Sequence, residues 1–146
     1  MFHVESVKDK EILKKLISHE DIIDGFTDAN RLDKYISDLG EDHKCYLLIY
    51  KHEVAGVGIC LNLEKSMNLK EIYVVDIGFF KEYRGKIALK LSKLALKKFF
   101  KENKCKKLIS LIYEHNKKAL LNAKWCGFKH CSTHNNRYYL EYENGH

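Results

Sequence analysis

Between Phe79 and Phe100 the chain reads FFKEYRGKIALKLSKLALKKFF. A strand-like apolar run ends there in Arg84, Gly85 and Lys86, and an amphipathic, lysine-rich helix begins at once. A helix N-terminus presents unbonded backbone N–H groups and the positive end of the helix dipole. Gly85 lets an anion approach that backbone closely, while Arg84 and Lys86 add cationic donors. The chemistry that suits this spacing is phosphate binding. Two other groupings have reactive residue types. Cys126, His130, Cys131 and His134 fall within one short stretch, but their spacing matches no standard zinc finger, and no metal is expected. Lys86, Lys90, Lys93, Lys97 and Lys101 recur at helical spacing, as a phosphate-tracking surface requires. No aromatic residues interleave with them, so nucleic acid is not the expected partner.

The elements that must position these residues belong to one domain spanning residues 1–146. Hydrophobic residues make up 45% and charged residues 32%, the balance of a soluble globular protein. The start of the chain is polar with a helical period, unlike a signal peptide. The longest apolar runs are too short to span a bilayer, so no membrane partner is expected. Five cysteines without CxxC spacing argue against a disulfide framework and for a reducing cytoplasm. The net charge of +6 hides a division along the chain. Residues 20–42 hold eight acids (Glu20, Asp21, Asp24, Asp28, Asp33, Asp38, Glu41 and Asp42) against two bases. Residues 81–107 hold eleven bases against Glu82 and Glu102. One part favours cations and the other anions.

Periodicity supplies the element order. FHVESV alternates as a first strand, and Lys8–His19 places Ile12, Leu13, Leu16 and Ile17 on one helical face. Thr27 can cap a second helix that reaches Leu39 and stops at Gly40. KCYLLIYKHEVAGVGICLNL reads as a hairpin turning near Lys51–Glu53. LKEIYVVDIGFF is a mostly apolar central strand, followed by a helix from about Arg84 to Lys101. KKLISLIYE is another buried strand, and Asn116 opens a helix running to Cys126 that Gly127 ends. FKHCSTHNNRYYLEYE is a last hairpin turning at Asn135–Asn136. The expected class is α/β: a mixed central sheet in the order β-α-α-β-β-β-α-β-α-β-β, with helices on both faces. The strands around 71–79 and 107–113 are joined through a helix and should be parallel neighbours.

The stretch GFFKEYRGKIALKL resembles the cofactor-binding motif of the GNAT-type N-acetyltransferases, Arg/Gln-x-x-Gly-x-Gly/Ala after a central strand. Downstream, NKKALLNAKWCGF is similar to that family's Asn-x-x-Ala…Gly-Phe segment, with Asn116, Ala119, Gly127 and Phe128 at the family's spacing. The element order agrees over nearly the whole chain, and the chain resembles small phage and bacterial members in particular. The resemblance implies acetyl-CoA as cosubstrate, with its pyrophosphate at Arg84, Gly85, Lys86 and the amides of Ile87, Ala88 and Leu89. It places Asn116 beside the same cofactor, and the backbone near Ile77 and Phe79 along its pantetheine arm. Three positions depart from the pattern. Ile87 replaces the middle glycine, or one turn residue is missing; Lys81 replaces a proline; and Ala123 stands where many members carry a tyrosine acid.

Acetyl transfer to an amine needs a base for the ammonium proton, a stabiliser for the developing oxyanion and an acid for the leaving sulfur. Under the resemblance the cleft opens beside the central strand, on which Glu71, Tyr73, Val75, Ile77 and Phe79 alternate onto one face. Glu71 and Tyr73 are therefore candidate catalytic contacts, against readings as a solvated strand end and a core aromatic. Asp76 falls on the other face unless a bulge intervenes, which would flip it. His115 is a further candidate base, against a reading as a cap for the following helix. Tyr113, Tyr138 and Tyr139 are candidates for the absent acid. The acidic segment lies where the family's acceptor site forms, which implies a cationic amine, carried by a small molecule or a protein. A monomer or homodimer is expected, and the departures leave open a GNAT fold that binds or scaffolds without transferring acetyl groups.

Overall fold

The computed structural model describes residues 1–26 and 43–143. The helix expected between Thr27 and Leu39 lies outside them, as do the acids Asp28, Asp33, Asp38, Glu41 and Asp42. The order is β1 (Phe2–Val7), α1 (Lys10–Ile17), α2 (Glu20–Ile23), β2 (His43–Tyr50), β3 (Glu53–Asn62), α3 (Glu64–Met67), β4 (Ile72–Phe79), a 3-10 turn (Lys81–Tyr83), α4 (Lys86–Glu102), β5 (Lys107–Tyr113), α5 (Lys117–Cys126), β6 (Lys129–His134) and β7 (Arg137–Glu143). The strands form one seven-stranded sheet ordered β1-β2-β3-β4-β5-β7-β6. Among the described strands only β4 and β5 pair in parallel, as a strand–helix–strand crossover requires.

Local chemistry accounts for the boundaries. Asp9 caps α1, accepting from the Glu11 amide at 3.0 Å, so the helix starts after the expected Lys8. It buries Leu13 and Ile17 but leaves Ile12 exposed. The short α2 was not expected; the His19 ring caps it by accepting from the Asp21 amide at 3.1 Å. The β2–β3 turn uses Lys51 and His52 at φ 49° and 67°, left-handed values that strand twist favours in two-residue hairpins. Asn135 and Asn136 do the same between β6 and β7, at φ 50° and 64°.

Helices cover both faces. On one, α4 and α5 pack over a cluster that includes Phe99, Leu91, Leu108 and Leu140. Phe99 is 1% exposed and meets the Tyr73 and Tyr46 rings edge-on at centroid distances of 5.0 and 6.3 Å. Burying a side chain of this size contributes about 1.5–3 kcal/mol. On the other face, Leu13, Ile17, Ile22 and Phe26 pack against Val57 and Ile59 of β3. Cys45, Cys60 and Cys105 are buried free thiols, and burial pushes Cys45 up to about 12.

One irregularity in the sheet prepares the site. The pairing of β4 with β5 consists of Ile72 with Lys107, Tyr73 with Leu108 and Val74 with Ile109, and then stops. Both strands continue, β4 held by β3 as far as Phe79 and β5 held by β7 as far as Tyr113. Each follows its outer neighbour, so the two diverge toward their C-terminal ends.

Candidate active site

The divergence opens a cleft of about 230 Å³ that runs through the sheet. Its walls are Val75, Asp76 and Ile77 of β4 and Ser110, Leu111 and Ile112 of β5. Residues from both faces of β4 reach it because the strand has lost its inner neighbour. Helices α4 and α5 both begin at the mouth, and Ala88, Leu89 and Ser92 of α4 face Asn122, Ala123 and Cys126 of α5 across it. Two helix N-termini, each a positive dipole end, therefore converge on one opening.

Gly85 is the N-cap of α4, with φ 103° and ψ −133° and no side-chain cap bond. That φ is strained for any residue with a β-carbon. Nothing lies within 4 Å of where a Cβ on Gly85 would stand. The space is large enough for a ligand to lie against the first-turn amides, which have no acceptor within the helix. Asn116 caps α5, its Oδ1 accepting from the Ala119 amide at 3.1 Å, and also lines the cleft.

The acidic and basic parts of the chain meet at this mouth. Arg84 donates from Nη2 to the Asp21 carbonyl at 2.9 Å and lies 3.6 Å from Asp24 Oδ2. Its Nε donates to the Phe79 carbonyl at 3.4 Å. The Lys81 amide donates to Asp21 Oδ2 at 3.2 Å. Backbone packing fixes α2 there. A Cβ on Gly78 would stand 2.1 Å from the Ile22 carbonyl oxygen, and one on Gly25 2.5 Å from that of Ile77. Only glycine at both positions lets this segment lie backbone to backbone on the end of β4, which brings Asp21 and Asp24 to the cleft.

Of the residues expected to hold a cofactor, Ile77, Phe79, Arg84, Gly85, Ala88 and Leu89 line the cleft together with Asn116. Lys86 is exposed on the outer side of α4, and the Ile87 side chain packs toward the core. The expected catalytic residues are not brought together. Glu71 has φ 61° and precedes β4, at the end where β4 and β5 still pair. Its carbonyl accepts from the Lys106 amide at 2.7 Å, and its carboxylate lies 3.7 Å from Lys106 Nζ. Tyr73 is 6% exposed, is packed on Phe99 and has its hydroxyl bonded to Asn62 Nδ2 at 3.3 Å; burial raises its pKa. His115 is exposed and stacks on Tyr113 at 5.5 Å, in a shallow depression with Arg137 and Asn135 outside the cleft.

No tyrosine lines the cleft among the described residues. Tyr113 accepts from Arg137 Nη2 at 3.1 Å, and Tyr138 accepts from Lys117 Nζ. Burial and a bond to Glu141 push Tyr139 up to about 12. One turn beyond Ala123, Cys126 does reach the cleft. Burial raises its thiol pKa despite the nearby Lys93, so it stays protonated near neutral pH. The residue that strand alternation set on the opposite face is Asp76. It is 7% exposed, lines the cleft and is the only charged side chain within β4. A carboxylate in the middle of IYVVDIGF was the available signal, because buried charges are costly and gather at working sites. Among the described residues, no group of three or more His, Cys, Asp or Glu is placed to hold a metal ion.

The family described as the acetyltransferase (GNAT) family matches residues 12–128 of this chain. No curated protein sequence is similar enough to register as a match. Solved structures share the fold at low identity. The N-acetyltransferase PseH of Campylobacter jejuni is 14% identical, with 99% of each chain covered and a TM-score of 0.70. The aminoglycoside acetyltransferase AAC(6')-Ib in complex with coenzyme A is 13% identical, with 99% of this chain and 95% of that chain covered and a TM-score of 0.75. A mutant of the spermidine N-acetyltransferase SpeG of Vibrio cholerae is 13% identical, with 97% and 93% covered and a TM-score of 0.72.

Proposed function

Because this chain belongs to the GNAT acetyltransferase family, we propose that it transfers an acetyl group from acetyl-CoA to a primary amine on a cationic acceptor. The observation that carries this reading is the divergence of β4 from β5 after Val74 and Ile109, with the Gly85 N-cap of α4 at its mouth. The cosubstrate supplies an acetyl group activated as a thioester. The space beside Gly85 and the first-turn amides of α4 suit its pyrophosphate. Arg84 adds a cation at the same point, and Lys86 contributes to the field from the outer face. The strand edges of β4 and β5 that turn away from each other present backbone donors and acceptors to an extended chain. Ile77 and Phe79 are the β4 positions that meet it.

Asp76 is the base in this reading, taking the proton of the acceptor ammonium directly or through water. Its carboxylate also keeps the β4 wall of the cleft attractive to a cation until that proton moves. Cys126 holds a proton at Sγ on the wall where Ala123 leaves no tyrosine, and it is the donor for the departing sulfur. Asp21 and Asp24 line the approach and select the acceptor by charge. Aminoglycosides and spermidine, named with two of the structural neighbours, are cationic amines. That agrees with an acidic approach here.

A panel of acceptors tests the charge selection. Polyamines, lysine peptides and aminoglycosides are expected to be acetylated, with KM rising as salt screens the exposed carboxylates. A preference for an amine flanked by carboxylates contradicts the assignment of Asp21 and Asp24.

A further inference from the structure

Helices α4 and α5 lie side by side over one face of the sheet, and their solvent side is chemically one-sided. Lys86, Lys90, Lys93, Lys97 and Lys101 are exposed along α4. At a rise of about 1.5 Å per residue they form a row roughly 22 Å long. Lys117, Lys118 and Lys124 are exposed along α5. Glu102 is the only carboxylate on either helix. It is held by Lys98 at 3.0 Å and by the Tyr46 hydroxyl at 3.2 Å. Leu94 of α4 is 39% exposed, and two more exposed apolar side chains stand among these cations, Leu121 at 65% and Trp125 at 54%. They are one helical turn apart on α5, and Lys93 Nζ reaches across from α4 to lie 3.7 Å from the centre of the Trp125 ring.

We propose that this α4–α5 face docks peripherally on an anionic lipid surface. Charge complementarity demands a polyanion, and the apolar pair decides which kind. A phosphate backbone offers Leu121 nothing, and the Trp125 ring face that a base would stack on is covered by Lys93. A bilayer interface satisfies all three groups. Lysines meet lipid phosphates, indole settles at headgroup level and leucine reaches the acyl boundary. The inner side of α4 is committed to the core through Leu91, Ala95 and Phe99, so the helix binds by its outer side without unfolding. No helix among the described residues is long and apolar enough to cross a membrane, and docking of this kind needs none. Lys118 lines the cleft and Lys86 adds to the field at its mouth, but Lys90, Lys93, Lys97, Lys101, Leu121 and Trp125 stand outside the cleft lining.

Trp125 is the only tryptophan in the chain, so its fluorescence reports on this face alone. The full-length protein is mixed with vesicles of phosphatidylcholine, or of phosphatidylcholine with phosphatidylglycerol. With the anionic vesicles the emission shifts to the blue and the protein sediments; with phosphatidylcholine alone it does neither. Lys93→Glu combined with Lys97→Glu changes only exposed residues and keeps the circular dichroism spectrum. It weakens sedimentation by at least about tenfold, and Leu121→Ser reduces the blue shift. Three results overturn the proposal: no sedimentation with anionic vesicles, equal sedimentation of the charge-reversed protein, or tighter binding to random-sequence RNA with unshifted emission.

Discussion

Gly85→Leu is expected to lose coenzyme A binding while the chain still folds. Two costs meet at this position. The backbone has φ 103°, where a β-carbon introduces strain of about 1–3 kcal/mol. The new side chain also fills the open space beside the first-turn amides of α4. A hydrogen bond to a charged group contributes roughly 1.5–3 kcal/mol. Losing two together weakens binding by about two to four orders of magnitude. Because a Cβ here would meet nothing within 4 Å, circular dichroism should keep its native shape, and the strain should lower the Tm by roughly 3–12 °C. Equilibrium dialysis with coenzyme A reads the effect. Wild-type affinity in Gly85→Leu would mean that the Arg84–Lys86 turn merely starts a helix.

Asp76→Asn is the second large effect, and it separates chemistry from binding. The substitution keeps the shape of a side chain that is 7% exposed but removes its ability to take a proton. General-base catalysis contributes about 10²- to 10⁴-fold, so kcat should fall within that range while coenzyme A binds as before. Glu71→Gln makes the contrast. Glu71 pairs with Lys106 at the closed end of the β4–β5 ladder, and an exposed ion pair is worth about 0–1 kcal/mol. Its loss should leave kcat unchanged. If Glu71→Gln stops turnover and Asp76→Asn does not, the assignment of the base is reversed.

The fold was legible because its signals are local. Alternation and helical periodicity identified the strands and the helices α1, α4 and α5. Asn116 and Gly127 marked the ends of α5 by caps that the structure keeps. The parallel placement of β4 and β5 followed from the helix between them. Short elements escaped: α2 spans four residues and has no full period to read. The mouth of the cleft was legible for the same reason as the fold, since a glycine between two cations at a strand–helix junction is a sequence pattern.

The interior of the cleft was not. Strand alternation put Glu71 and Tyr73 on the face of Ile77 and Phe79, but parity says nothing about position along a strand. The cleft opens only beyond Val74, past both candidates. The same divergence exposes both faces of β4 to one space, which is how Asp76 joins Val75 and Ile77 in lining it. Parity had set Asp76 apart from them. The contact of Gly25 and Gly78 with the backbone of the opposite segment is equally non-local. It carries Asp21 and Asp24 to Arg84, an encounter between residues about sixty positions apart.

Calorimetric titration of the wild-type protein with acetyl-CoA tests the central assignment most directly. Saturable binding at one site per chain, weakening as salt rises and absent in Gly85→Leu, is the predicted result. No heat and no rise in Tm at millimolar acetyl-CoA would contradict the assignment of the β4–β5 cleft to this cosubstrate.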